Sequence, residues 1–178
     1  MVKTGYLFFI LSICFSCSSL KLCVQNEDKI ELSQSNINLL NGKFANDSFL
    51  NKDSIQGSLY WNFFDRGHNS KDSVEYIKLE VLNTKKIKVS YFDGDTIVRS
   101  KVLKGKIRNG YFEFHKKYLI IPALYVNVFR NRSFRISILT NGNLITDYNQ
   151  VSFGTGFFII PFYENVKEFN VEFMGLKE

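Results

Sequence analysis

From about Leu39 onward, apolar residues recur at every second position rather than every third or fourth. Ile87, Val89 and Tyr91 alternate with Lys86, Lys88 and Ser90; Phe134, Ile136 and Ile138 alternate with Arg135 and Ser137; Phe169, Val171 and Phe173 alternate with Asn170 and Glu172. Residues two apart in an extended chain share one side of it, so each run turns one face to a core and the other to water. Between the runs stand Asp93-Gly94, Asn109-Gly110 and Asn141-Gly142. Such pairs accept the positive φ of a type I′ turn, whose twist matches that of the flanking strands. The stretches "KVSYFDGDTIVRS", "KGKIRNGYFEFH" and "RISILTNGNLITDY" therefore each read as a β-hairpin. No segment carries a sustained helical stripe with caps, although 24–38 has room for a short helix.

Roughly eight to ten strands at 8–12-residue spacing are expected between 39 and 176. The expected fold is all-β, an antiparallel meander closing into a lipocalin-like barrel, with a two-sheet β-sandwich as the alternative. Closure is preferred because it removes the exposed edges that a chain with 18 Phe and 9 Tyr would otherwise offer to other strands. Pro122 and Pro161 lie within apolar runs and mark strand edges or bends. At 178 residues, 45% hydrophobic and 22% charged, the chain has the composition of one globular domain. The formal charge of +6 is spread along it, and no nucleic-acid-binding signature accompanies that charge.

The first residues read as an address. Met1-Val2-Lys3 precedes about ten mostly apolar residues, the length of a signal-peptide core and too short to span a bilayer. Cys14-Phe15-Ser16-Cys17 follows, with a small residue immediately before Cys17. This resembles the lipobox of bacterial lipoproteins, with Cys14 where leucine is commonest, and the resemblance implies acylation at Cys17. The expected organisation is a signal peptide over 1–16, a polar tether over 17–38 and one β-domain over 39–178; ordinary secretion is the alternative. Cys14 would leave with the leader and Cys17 would carry lipid. Cys23 would then stand alone, excluding an intramolecular disulfide and a thiolate metal site.

"LLNGKF", "VLKGKIRNGYFEF", "ILTNGNLITDY" and "FGTGFFIIPF" resemble blocks of uncharacterised cell-envelope lipoproteins of Bacteroidota. "LNGKF" ahead of a meander is also similar to the opening strand of lipocalin-like barrels, with Phe44 in place of the usual tryptophan. The first resemblance implies a lipid-anchored envelope protein and carries no activity. Ser18-Ser19 after the acylated cysteine, where that family's retention signal would be aspartate, implies the outer membrane. The absence of an immediate acidic run favours its periplasmic side.

Chemistry is sparse. No Gly-x-Ser-x-Gly elbow and no His-Glu-x-x-His occurs, and "GTG" at 154–156 is followed by no helix pattern that could cradle phosphate. His68, with Asp65 and Asp72 nearby, is the best hydrolytic constellation, but it reads as a polar loop. His115 ends a strand beside two lysines. The expectation is no catalytic residue, no metal, no cofactor and no enzyme. The aromatic excess is the remaining signal: "LYWNFF" (59–64) sets aromatics on both parities of an expected strand, and "YLIIPALYVNVF" (118–129) is apolar on both faces. Trp61, Phe63, Tyr125 and Phe158 are accordingly the candidate walls of a site for a small apolar or amphipathic ligand. The alternative is a solid barrel whose 118–129 face docks on another envelope protein.

Overall fold

The computed structural model describes residues 26–48, 58–64, 75–120, 126–156 and 160–177. In chain order the elements are β1 (Lys29–Ile30), a 3₁₀ turn (Ile37–Leu40), β2 (Gly42–Ala45), a short helix α1 (Leu59–Phe64), β3 (Tyr76–Asn83), β4 (Lys86–Asp93) and β5 (Thr96–Lys104). Then follow β6 (Lys106–Arg108), β7 (Tyr111–Ile120), β8 (Val126–Leu139), β9 (Leu144–Gly156), β10 (Ile160–Phe173) and β11 (Gly175–Leu176). All pairings are antiparallel, in two sheets: β11-β2-β3-β4-β5 and β10-β9-β8-β7-β6, with β1 alongside β8. The fold is thus all-β and sandwich-like. Part of the stretch read as tether is folded: β1 lies in a sheet, and Leu32 and Ile37 are buried.

All three glycine turns form, with different loops. Asn109-Gly110 is the complete loop between Arg108 and Tyr111, with φ of 51° and 73°, as a type I′ turn requires. Asp93 instead pairs with Thr96, so the loop is Gly94-Asp95, and Gly94 supplies the positive φ at its first position, where a type II′ turn takes glycine. After β8, Leu139 N–H donates to Asn143 O, and a longer loop carries Gly142 at φ 87°. A fourth hairpin, β3–β4, turns at Thr84-Lys85 without glycine; Asn83 Oδ1 accepts the Lys85 N–H at 2.9 Å.

The two sheets exchange strands at two corners. β5 pairs with β4 as far as Lys104, and one residue later the chain pairs with β7 from Lys106. β10 pairs with β9 as far as Phe173, and after Met174 the chain pairs with β2. Strands that switch sheets in this way make the corners of orthogonally packed sheets. Among the described residues neither sheet is closed on itself, so the arrangement is sandwich-like, two sheets sharing two bent strands, in place of the expected barrel. Gly105 makes the first corner. Its N–H donates to Lys85 O at 2.9 Å, and a Cβ there would lie 2.5 Å from Glu113 O and 2.6 Å from the Phe112 ring. No side chain fits where two backbones and a ring close on the bend.

The core lies between the sheets. The first contributes Phe44, Ile77, Leu79, Ile87, Val89, Tyr91 and Leu103; the second contributes Phe112, Phe134, Ile136, Ile138, Leu144, Tyr148 and Phe173. The expected inward parities of β4 and β8 hold. That of 169–173 holds for Val171 and Phe173, after a bulge between Glu168 and Val171 that shifts the register. The outward parity of β8 is not solvated: Arg135 and Ser137 are both 0% exposed. Arg135 Nε donates to Asp147 Oδ2 at 2.6 Å, and its guanidinium lies 3.9 Å from the Tyr111 ring centroid. Asp147 Oδ1 accepts the Asn170 N–H at 2.7 Å, holding a non-glycine residue at φ 57° within the bulge.

Gly105→Ala is expected to lower stability by about 1–3 kcal/mol through overpacking at the corner. Gly94→Ala meets nothing within 4 Å and carries only the strain of its φ of +56°. Denaturant unfolding of the two variants checks the difference; equal losses would remove the steric account of the corner.

Candidate functional site

Leu59–Phe64, expected as a strand, is a helix of one and a half turns. Its ends explain how so short a helix persists in a β-domain. At the start, Asn46 O accepts the Leu59 N–H and Asn46 Oδ1 accepts the Tyr60 N–H, both at 2.9 Å, so a residue just past β2 caps a helix that begins thirteen positions later. At the end, Lys101 Nζ from β5 donates to the Phe63 carbonyl. Burial supplies the rest: Leu59, Tyr60, Phe63 and Phe64 are each no more than 3% exposed. Phe63 packs on Phe134 and Phe114 of the second sheet (ring centroids 5.3 and 6.0 Å), whereas Tyr60 packs on Tyr91 of the first at 4.7 Å. The helix is an aromatic wedge between the sheets. Aromatics on both parities suited it because a helix with sheets on either side is buried nearly all round.

The wedge lies where the first corner opens a fork. Below Gly105 the strand is bonded to β7; above it, β5 turns away to β4, and β7 from Phe114 onward pairs only with β8 among the described residues. A recess of about 320 Å³ occupies this fork. Phe63, Leu103, Phe114 and Phe134 give it an apolar floor, with Asn62 and Val102 at its sides and Lys101, Lys104 and Arg132 the charged residues around it. The volume stands at the lower end of the about 300–1,000 Å³ typical of small-molecule sites.

Its electrostatics are one-sided. Lys101 is half-buried on the inner parity of an edge strand, beside Arg99, and both cations lie over the Phe64 ring at 5.1 and 5.4 Å. Burial lowers the Lys101 ammonium from its ordinary 10.5 to about 8, and the positive charges of Arg99 and Arg132 add to the shift. Arg132 donates from Nε and Nη2 to Gln150 Oε1 (3.3 and 3.0 Å), which also accepts the Tyr148 hydroxyl at 2.7 Å. Burial pushes the Tyr148 phenol upward. Among the described residues, no Asp or Glu lines the recess.

Of the residues singled out in the sequence, Phe63 is on the floor of the recess. Trp61 is on the same helix, edge-on to Tyr60 at 6.5 Å and outside the recess lining. Cys17, His68, Asp65, Asp72, Tyr125 and Phe158 lie outside the described residues. Lys101, Leu103, Phe114, Arg132 and Phe134 were not anticipated. Lys101 carried a usable signal, being a charge on the parity of Leu103, on the side of its hairpin that faces a core. No group of three or more His, Cys, Asp or Glu able to hold a metal exists among the described residues. Comparison of the chain with family models, curated proteins and solved structures finds no match.

The depressed Lys101 predicts a pH dependence. Its folded value of about 8 lies below the unfolded 10.5, so between them the unfolded chain binds more protons and stability rises with pH. Below pH 8 the burial penalty is fully present. Lys101→Met is expected to flatten the rise between pH 8 and 10, measured by denaturant midpoints across that range; an unchanged slope would exclude Lys101 as its source.

Proposed function

We propose that this is a lipid-anchored envelope protein, held at the periplasmic side of the outer membrane through Cys17, that binds a small apolar or amphipathic molecule rather than catalysing a reaction. The observation carrying the binding half is the fork: an open recess floored by aromatic rings, placed where strand switching leaves two strand edges apart. Apolar floors with few polar groups suit ligand burial more than bond-breaking chemistry. In this reading the two sheets act as one barrel-like wall, joined at Gly105 and Met174 and interrupted at the fork. The anchoring half rests on the leader pattern and on the resemblance to Bacteroidota lipoproteins. No helix among the described residues is long and apolar enough to cross a membrane.

A second reading, docking on another envelope protein, is favoured by one observation. On the second sheet Phe129 and Phe153 are cross-strand neighbours with ring centroids 4.7 Å apart, and Tyr163 is paired with Phe153. Phe153 and Tyr163 remain 49% and 67% exposed. A stripe of rings on one face is the kind of surface a partner covers.

Metabolic labelling with an alkyne-bearing palmitate is expected to mark the wild-type chain and not Cys17→Ser; equal labelling would remove the anchor from the proposal. Native mass spectrometry of the purified chain separates the two readings. A copurifying small molecule, with saturable one-to-one binding of the neutral dye N-phenyl-1-naphthylamine, supports the ligand site. A chain free of small molecules that does not bind the dye, and is recovered bound to one discrete envelope protein, supports docking instead.

A further inference from the structure

We infer that the outer face of the first sheet rests on an anionic phospholipid surface, through Lys43, Lys78, Lys86 and Lys88, laying the domain on the bilayer that holds its acyl chain. This builds on the anchoring half of the proposed function, which selects a membrane among anionic partners. Ile77, Leu79, Ile87 and Val89 are buried, so the residues between them on β3 and β4 face outward. On that side the pairing sets Lys43 opposite Lys78 and Lys86 opposite Lys104. Like charges directly opposite one another destabilise a sheet. Lys88 lies between the two pairs, and among the described residues Glu80 is the one carboxylate on the outward parity of β2–β5. Lys88 at 3.1 Å and Lys78 at 3.7 Å already share it. Five lysines against one glutamate leave the face strongly positive.

The charge that is spread along the sequence is thus gathered on one side of the fold. A face that only meets water is served by interspersed charges of both signs. Two in-register lysine pairs suit a surface whose own negative charge offsets their repulsion. An open groove of about 740 Å³ runs over Asn41, Lys43, Lys78, Glu80 and Lys88, and Leu82, 51% exposed, lines it too. The chain also enters beside this face. Asp28 O accepts the Thr140 N–H at 2.9 Å, and from the same turn Asn143 Oδ1 accepts the Gly175 N–H at 2.9 Å. The next residue, Leu176, pairs with Lys43. Asn26 follows Cys17 by nine positions, a reach of about 30 Å when extended, which is enough to seat the lysines on the membrane that carries the lipid.

The experiment places wild-type protein on vesicles of phosphatidylcholine and of phosphatidylcholine mixed with phosphatidylglycerol. Acetylation of each lysine is then followed by mass spectrometry, with exposed Lys167 on the second sheet as the reference. Lys43, Lys78, Lys86 and Lys88 are expected to react about tenfold or more slowly on the anionic vesicles, and at the neutral-vesicle rate once salt is raised. Lys86→Gln, at an exposed position, is expected to lower the protection of the other three about fivefold, the ratio one lysine contributes near an anionic surface. Equal rates on the two vesicle types, in protein that stays with both, overturn the docking and leave the anchor standing. Slowing on neutral vesicles that grows with protein concentration assigns the face to a second copy and overturns it as well. Protein retained by the anionic vesicles alone removes the anchor and keeps the face; protein retained by neither removes both.

Discussion

An edge of a β-strand can bond to only one neighbour at a time, and at Gly105 that restriction shapes the molecule. The strand running from Thr96 to Arg108 borders β4 with its first part and β7 with its last three residues. Passing from one neighbour to the other forces the two sheets apart on one side of the corner. The bend is sharp enough that Glu113 O and the Phe112 ring close on the Cα, so glycine is required for its lack of side chain rather than for its φ. The fork, the helix that fills most of it and the recess that remains all follow from this switch. At the second corner, Met174, β2 accepts the strand at once: Met174 O takes the Ala45 N–H at 2.9 Å.

Strand identity and hairpin order were legible because they depend on local rules. Alternation placed Ile87, Val89 and Tyr91 inward, and Asn109-Gly110 specified its own turn. The β3–β4 turn was not legible, since Thr84-Lys85 has no glycine and relies on the Asn83 side chain. The helix at 59–64 was misread as a strand for a related reason. "LYWNFF" has neither a capping residue of its own nor a polar face, and its cap comes from Asn46, twelve or more positions away. A motif whose terminal hydrogen bonds come from other elements leaves no trace within its own residues. Closure was the other limit. Period-two patterning reports which face is buried, and says nothing of where a strand changes partner.

Parity also misled on β8. Arg135 and Ser137 read as a solvated face, yet both are fully buried. A buried guanidinium persists only if its charge is met, and Asp147 on the adjacent strand meets it in register, with Glu113 on the other side at 4.0 Å. Removing one member of such a pair costs about 3–5 kcal/mol, because the remaining charge stays buried alone. The pair does more than neutralise itself. Asp147 uses its second oxygen on the Asn170 N–H, so the bulge that re-registers β10 is tied to the same carboxylate. That bulge returns Val171 and Phe173 to the inner face ahead of the Met174 corner. A charge pair on the outside of one sheet thus sets the aim of the strand that joins both.

Buried cations are met differently on the two faces of the second sheet. On the outer face, among the described residues, Lys29 is paired with Glu31 and Arg135 with Asp147. At the fork, Lys101 has the Phe63 carbonyl and the Phe64 ring within reach, and burial lowers its ammonium. A chain able to place Asp147 so accurately against Arg135 could have placed an acid opposite Lys101 on Phe114 or Phe134, the neighbouring inward positions of β7 and β8. It has rings there instead. Lys101 therefore holds the helix end at a desolvation cost that an uncharged donor to the Phe63 carbonyl would not carry.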